Sequence, residues 1–191
     1  MSTPLPQDHP TPPPPLLGFC GASGSGKTTL VSRVIAELAG RGYAVGAIKH
    51  HGHRQPLEPA DRHKDSGRLF AAGAARVALA HAGGLMLTAG PGDAEGPVQI
   101  ARRFMSGLDL VLVEGYKSAS LDKIEVVAPG REPLLPPGGR LLALARRGAA
   151  GAAPGGQEAG LVVLDADDPV QVADFVLEQL GLPTRKPTRS D

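Results

Sequence analysis

Apolar residues fall along this chain in two alternating patterns: short unbroken runs, and stripes at three- and four-residue spacing. Leu16-Leu17-Gly18-Phe19-Cys20 is the first run and reads as a buried strand. From Lys27 to Ala39, the residues Leu30, Val31, Val34, Ile35 and Leu38 share one helical face, and Gly40 and Gly42 end that helix. Further runs lie at AVGAIK (44–49), RVALAH (76–81), LMLTA (85–89), LDLVLVEG (108–115), KIEVV (123–127), LLALA (141–145) and LVVLD (161–165). Helices are expected between them. A short one is N-capped by Asp65 and carries Leu69 and Phe70, with Gly73 near its end. Another carries Val98, Ala101, Phe104 and Met105. The last opens at Asp168-Pro169, in the favoured order of cap and first turn, and places Val172, Val176 and Leu180 on one face. Near-continuous apolar strands separated by helices predict an α/β fold in three layers, with a mostly parallel sheet covered on both sides.

The pattern frames one domain at residues 16–182, of 191 in all. Residues 1–15 form a proline-rich, extended tail, 183–191 a second, flexible tail, and 146–160 a Gly/Ala-rich loop. Apolar residues make up 41% of the chain, enough for a core, while aromatics are 3% and tryptophan is absent. Such a core is built of Val, Leu, Ile and Ala, and it offers little for stacking on bases. With 20 basic and 19 acidic residues, the net charge of +1 gives no field to draw in nucleic acid or an anionic membrane. No run approaches the roughly 18 to 20 apolar residues of a membrane helix. Met1–Pro15 lacks a basic segment, so no secretory signal is expected. The one cysteine, Cys20, cannot form an internal disulfide and lies in an apolar run. It reads as a buried structural thiol in a reducing compartment, and a cytoplasmic protein is expected.

Chemistry concentrates between the first strand and the first helix. Gly21, Gly26, Lys27 and Thr28 in GASGSGKTT satisfy G-x-x-x-x-G-K-[ST], in the required strand–loop–helix context. A loop that wraps a phosphate chain must turn its N–H groups inward, through conformations a Cβ obstructs, hence Gly21, Gly24 and Gly26 with Ser23 and Ser25 between them. The helix starting at Lys27 aims its positive end at the same anion. Lys27 can reach β- and γ-phosphates and Thr28 can offer its hydroxyl to Mg²⁺, with Thr29 closing the GASGSGKTT stretch.

A phosphate loop of this kind works with a second acid. In open parallel sheets ligands lie beyond the carboxyl ends of the strands. Glu114 ends DLVLVEG on that edge, whereas Asp109 begins it and belongs at the far end. Glu114 is therefore expected to hold the metal, directly or through water. The second strand ends in IKHHGH, which puts Lys49, His50, His51 and His53 on the same edge. No second ligand group at standard spacing accompanies the histidines, so they read as a switch-like loop beside the γ-phosphate rather than a zinc site. Asp65 and Ser66, in KDS, can approach the metal from the following segment.

GASGSGKTTL, GAIKHHGH, KDSGRLFAAGA, DLVLVEGYK and DKIEVV, in this order, resemble the molybdopterin-guanine dinucleotide biosynthesis adaptor protein B (MobB) family over residues 17 to 180. The resemblance implies a P-loop NTPase fold, GTP and Mg²⁺ as ligands, at most slow hydrolysis, and a homodimer. It also implies work with the guanylyltransferase that joins GMP to molybdopterin. Lys117, Lys123 and Glu125 match further family positions. Two departures stand out. A D-x-P-G-K-D-S linker is replaced by LEPADRHKDS, and LALARRG stands where an N-K-x-D base-reading loop would be expected. Guanine preference thus rests on resemblance. The alternative is a P-loop kinase of a nucleoside or other small metabolite. It would need an acid beside the acceptor hydroxyl, where this chain has Lys49-His50, and lid arginines, for which Arg146-Arg147 are the candidates.

Overall fold

The computed structural model describes residues 12–50, 65–90, 96–148, 157–158 and 160–185. In chain order they form β1 (Leu16–Cys20), α1 (Lys27–Gly40), β2 (Val45–Lys49), α2 (Asp65–Ala71), β3 (Arg76–His81), β4 (Gly84–Ala89), α3 (Pro97–Phe104), β5 (Leu110–Glu114), β6 (Lys123–Val127), β7 (Leu141–Arg146), β8 (Gln157–Glu158), β9 (Leu161–Asp165) and α4 (Pro169–Gln179). The main sheet has the order β2-β5-β1-β6-β7-β9-β8. All its pairings are parallel except that of the two-residue edge strand β8 with β9.

The unbroken apolar runs follow from coverage on both faces. In β5, Leu110 and Leu112 face one side, where they join α1 and α4 through Val34, Leu38, Val172 and Val176. Val111 and Val113 face the other side, where Ala101 of α3 and Leu121 cover them. A strand buried twice has no polar face to show. Each of these leucine and valine side chains contributes about 1.5–3 kcal/mol by leaving water. Arg41, at the end of α1, is itself buried and pairs with Glu37 at 2.7 Å and with Asp174 of α4 at 2.5 Å, which locks the two helices together.

The parallel α/β fold is thus the one the pattern predicts, with three differences. RVALAH and LMLTA do not enter the main sheet. They pair antiparallel with each other as β3 and β4, with His81 opposite Gly84. Only Ala82 and Gly83 separate them, and so short a link closes a hairpin but cannot make a parallel crossover. Within the Gly/Ala-rich 146–160 segment the short strand β8 completes the sheet edge. Finally, the chain past Leu182 is tied down through Arg185. The Tyr43 hydroxyl donates to the Pro183 carbonyl, and Arg185 pairs with Asp109 at 3.1 Å while its guanidinium covers the Tyr43 ring at 4.3 Å. Asp109 sits at the amino end of β5, as expected, and accepts from the Ala44 N–H at 2.8 Å. That bond, with help from Arg185, holds its carboxyl below the ordinary aspartate range. Most of the expected N-terminal tail, residues 1–11, lies outside the described residues, whereas the Pro15 carbonyl already accepts from Val111 N–H at 2.9 Å.

Candidate functional site

The loop between β1 and α1 is shaped by two glycines. Gly21 has φ +139°, and a Cβ there would lie 2.3 Å from the Val126 carbonyl oxygen, so no other residue fits. Gly26 caps α1 in the left-handed region, at φ +90°, and no side chain accepts from the first-turn N–H groups. α4 shows the contrast. There the Asp168 carboxylate accepts from Val170 and Gln171 N–H, both at 3.0 Å. The uncapped end of α1 opens instead into a cavity of about 1110 Å³, lined by Gly21, Ser23, Gly24, Gly26, Lys27, Thr28 and Thr29. Free N–H groups and the positive end of a helix dipole make that wall an anion site.

Lys27 bends back over its own loop. Its ammonium donates to the Ala22 carbonyl at 2.5 Å and the Gly21 carbonyl at 3.3 Å, with the Ser25 hydroxyl at 3.5 Å. Burial pushes its pKa below the ordinary lysine value, and the Glu114 carboxylate works against that shift. Ser25 is buried beneath the loop and does not line the cavity.

The opposite wall comes from the neighbouring parallel strands. Register places Lys49, the last residue of β2, beside Glu114, the last of β5. The Thr28 hydroxyl donates to Glu114 Oε1 at 2.7 Å, and Lys49 Nζ stands 3.0 Å from both Thr28 Oγ1 and Glu114 Oε1. A cation of the chain itself is therefore held between a hydroxyl and a carboxylate. Such an oxygen-only donor set fits Mg²⁺, a hard ion that keeps waters and completes its shell with substrate phosphates. Thr28 and Glu114 are the residues that would hold it.

After Glu114 the chain turns sharply. Gly115 has φ +97° and Tyr116 has φ +47°, a conformation rare in a bulky residue and found where surroundings enforce it. The turn lays the Tyr116 ring against the His50 ring, centroids 4.5 Å apart, and brings Lys117 and Ser118 to the cavity wall. Lys123 holds the far side of this loop. Its buried ammonium donates to the Ala119 and Leu121 carbonyls. Two residues along β6, the buried Glu125 carboxylate accepts from Leu134 N–H at 2.6 Å and Leu135 N–H at 3.0 Å. Both residues are therefore pins for loops rather than cavity groups.

The structure thus gathers Gly21, Ser23, Gly24, Gly26, Lys27, Thr28, Thr29, Lys49, His50 and Glu114 around one cavity. It does not bring Asp65 there. Asp65 lies in the first turn of α2 rather than before it, fully exposed, with Arg68 at 3.7 Å. Among the described residues α2 packs chiefly against β3 of the hairpin, and Asp65 does not line the cavity. His51 and His53 lie outside the described residues. Gly115, Tyr116 and Ser118 are additions that motif matching missed, although their place just after a strand's carboxyl end was a usable signal.

Residues 16–146 match the family model described as "Molybdopterin guanine dinucleotide synthesis protein B". The chain belongs to the MobB family. It is 36% identical over 169 residues to the "Molybdopterin-guanine dinucleotide biosynthesis adapter protein" of Escherichia coli, covering 86% of this chain and 92% of that one. A Haemophilus influenzae protein of the same name is 40% identical over 114 residues, which cover 58% of this chain and 61% of that protein. The crystal structure of Bacillus subtilis MobB superimposes with a TM-score of 0.67 at 29% identity, over 86% of this chain and 97% of that one. The MobB match spans the phosphate loop, Lys49, Glu114 and the β6 pins.

Proposed function

We propose that the cavity binds GTP with Mg²⁺. We propose also that the protein is a nucleotide-dependent adaptor for the guanylyltransferase that joins GMP to molybdopterin, with molybdopterin itself close to the shared surface. The observation that carries this reading is the uncapped start of α1 facing the Thr28–Lys49–Glu114 cluster across one cavity. Membership of a family whose relatives are named as adapters for this dinucleotide supports the pathway.

On binding, the loop amides and the α1 terminus receive the phosphates, and Lys27 turns from its carbonyl partners to the β- and γ-oxygens. Bound Mg²⁺ would supply charge neutralisation at those same oxygens. Glu114 orients the Thr28 hydroxyl and holds water toward the γ-phosphate. Among the described residues that line the cavity there is no arginine and no glutamine, and Arg147, which lies over the loop at Gly26, follows β7 on the side of β1 away from Glu114 and Lys49. An arginine finger alone is worth about 10³ to 10⁵ in rate, so hydrolysis by this protein alone is slow. Slow turnover suits an adaptor whose bound nucleotide sets its shape. The kinase alternative fares worse. Glu114 is the one carboxylate lining the cavity among the described residues, and Thr28 and Lys49 already engage it. None is left for an acceptor hydroxyl.

Two copies are proposed to meet through the β3–β4 ribbon, which leaves Leu79, Leu85, Met86 and Leu87 exposed. Among the described residues no helix is long and apolar enough to cross a membrane, and a cytoplasmic site of action fits the buried Cys20 thiol.

The test is incubation with Mg²⁺ and GTP or ATP, without acceptor, following nucleotide retention and phosphate release. Tight GTP retention with very slow release is expected, lost in Lys27→Ala. Undiminished binding by Lys27→Ala would remove the site, and inertness until a hydroxylated metabolite is added would favour the kinase.

A further inference from the structure

Strand order splits the mouth of the phosphate loop into two ends. β1 carries the loop. To one side stand β5 and β2, with Glu114 and Lys49, so the metal and terminal phosphates belong there. To the other side stand β6, β7 and β9. A nucleoside continuing from the phosphate chain therefore leaves the loop toward the carboxyl ends of β7 and β9.

Two side chains meet there. Arg147 follows β7, and its guanidinium covers the loop: a Cβ on Gly26 would lie 3.5 Å from Arg147 Nη2. The same guanidinium reaches the segment after β9, with Nε 3.6 Å from Asp167 Oδ1. Asp167 thus stands one guanidinium away from the phosphate loop.

Three carboxylates occupy this segment, and two are committed to the backbone. Asp165 Oδ1 accepts from Asp167 N–H at 2.8 Å, and Asp168 caps α4. The Asp167 carboxylate is different. Its ion pairs, to Arg147 at 3.6 Å and Arg33 at 3.9 Å, are longer than the 2.7–2.9 Å of charge-assisted hydrogen bonds, and its side chain is 52% exposed. Arg33 bonds more closely to the Asp167 backbone carbonyl, at 2.7 Å, which fixes the turn and leaves the carboxylate able to accept from a ligand.

We propose that Arg147 and Asp167 form the nucleoside end of the site, and that Asp167 sets a preference for guanine. Resting on the reading that a polyphosphate fills the loop, this assigns the base. Guanine presents N1–H and the 2-amino group as two adjacent donors, which a carboxylate accepts together. Adenine presents a bare N1 lone pair at the same edge, and the carboxylate is then desolvated without a partner. Arg147 supplies the flat cationic surface that a purine face needs in a site where stacking aromatics are scarce. An N-K-x-D sequence is not required, because the carboxylate comes from the strand beyond the usual one.

The experiment is competition against a fluorescent GDP analogue by GDP, ADP, XDP and tripolyphosphate, on the full-length wild type and on Asp167→Asn, Arg147→Ala and Lys27→Ala. Asparagine offers an N–H₂ to the 2-carbonyl of xanthine. Asp167→Asn should therefore weaken GDP roughly ten- to hundredfold, as for hydrogen bonds to a charged group, and strengthen XDP. Arg147→Ala should weaken GDP, ADP and XDP alike. Tripolyphosphate should be unchanged in both. A surface ion pair with no ligand role would leave GDP and XDP unmoved by Asp167→Asn while Lys27→Ala still abolished binding, and that result overturns the inference alone. Equal loss of tripolyphosphate in Arg147→Ala would make it a phosphate contact and overturn the nucleoside assignment. Undiminished GDP binding by Lys27→Ala would instead sink the phosphate-loop reading beneath it.

Discussion

Lys49 stands 3.0 Å from two oxygens that a divalent cation would claim. A metal in the proposed site would therefore compete with the ammonium for Thr28 and Glu114. Removing the ammonium in Lys49→Met should tighten Mn²⁺ binding in the absence of nucleotide by a fewfold to about tenfold, tenfold being about 1.4 kcal/mol. Glu114→Gln should weaken it. Electron spin resonance of free Mn²⁺ reads both, and unchanged affinity in Lys49→Met would dissociate Lys49 from the metal's place. A second prediction concerns Cys20. The thiol is buried, with Sγ 3.7 Å from the Ile124 carbonyl, and burial together with Glu125 pushes its pKa to about 11 from 9.0. The raised value means that its stabilisation is complete below pH 9 and is lost as pH climbs from 9.0 toward 11. At pH 8 a thiol reagent should titrate no cysteine in the native protein and one after denaturation. Rapid native labelling would contradict the burial. Single residues in a contiguous motif are legible without a structure. Gly21, Lys27 and Thr28 work through spacing along one loop, so their spacing announces them. Tyr116, Arg147 and Asp167 work through strand order, which the linear chain does not display.

The elements explain residues that motif comparison could mark but not interpret. Lys123 and Glu125 read as chemistry, two charged groups in an apolar strand, and both act as pins. Gly18 of β1 makes room for one of them, since a Cβ there would press against the Lys123 side chain at 3.2 Å. Replacing Lys123 by Met keeps the stem and removes the donors, so the buried Leu121 carbonyl loses its lysine partner while the Ala119 carbonyl keeps only its bond from Leu121 N–H. That costs about 1–3 kcal/mol and loosens the loop carrying Tyr116 and Ser118. Nucleotide affinity should fall several-fold although Lys123 lines no part of the cavity. Glu125→Gln should cost a similar stability, because it disturbs the amides of Leu134 and Leu135, yet leave affinity nearly intact. Urea unfolding and nucleotide titration, run on both variants, separate the two roles. Equal affinity losses would mean that one global loosening, not a specific loop, is responsible. Helices and buried strands were legible here because periodicity is local. The pairing of the hairpin is less legible, because apolar content alone does not say which strand a run pairs with. The structure supplies the pairing, and the two-residue link between β3 and β4 is its physical reason.

On the whole molecule, burial is uneven. The seven-stranded sheet is covered on both faces, whereas the β3–β4 ribbon has Leu85 and Leu87 on one side and Leu79 opposite Met86 on the other, all exposed. Leu69 of α2, which packs against β3, is 59% exposed beside it. A two-stranded ribbon is marginal by itself in water, and apolar groups on both its faces need cover. In the proposed dimer, a second copy of the same ribbon would supply matching apolar surface through a two-fold axis. Leu85→Glu with Leu87→Glu should therefore shift the protein from dimer to monomer in sedimentation at micromolar concentration, while GTP affinity stays close to wild type, since neither residue lines the cavity. Raising salt to 1 M should not dissociate the wild-type dimer, because an interface held by apolar burial is not screened. Dissociation by salt would instead implicate charged groups such as the hairpin's Arg76. A dimer that survived the double glutamate change would move the contact to another face altogether.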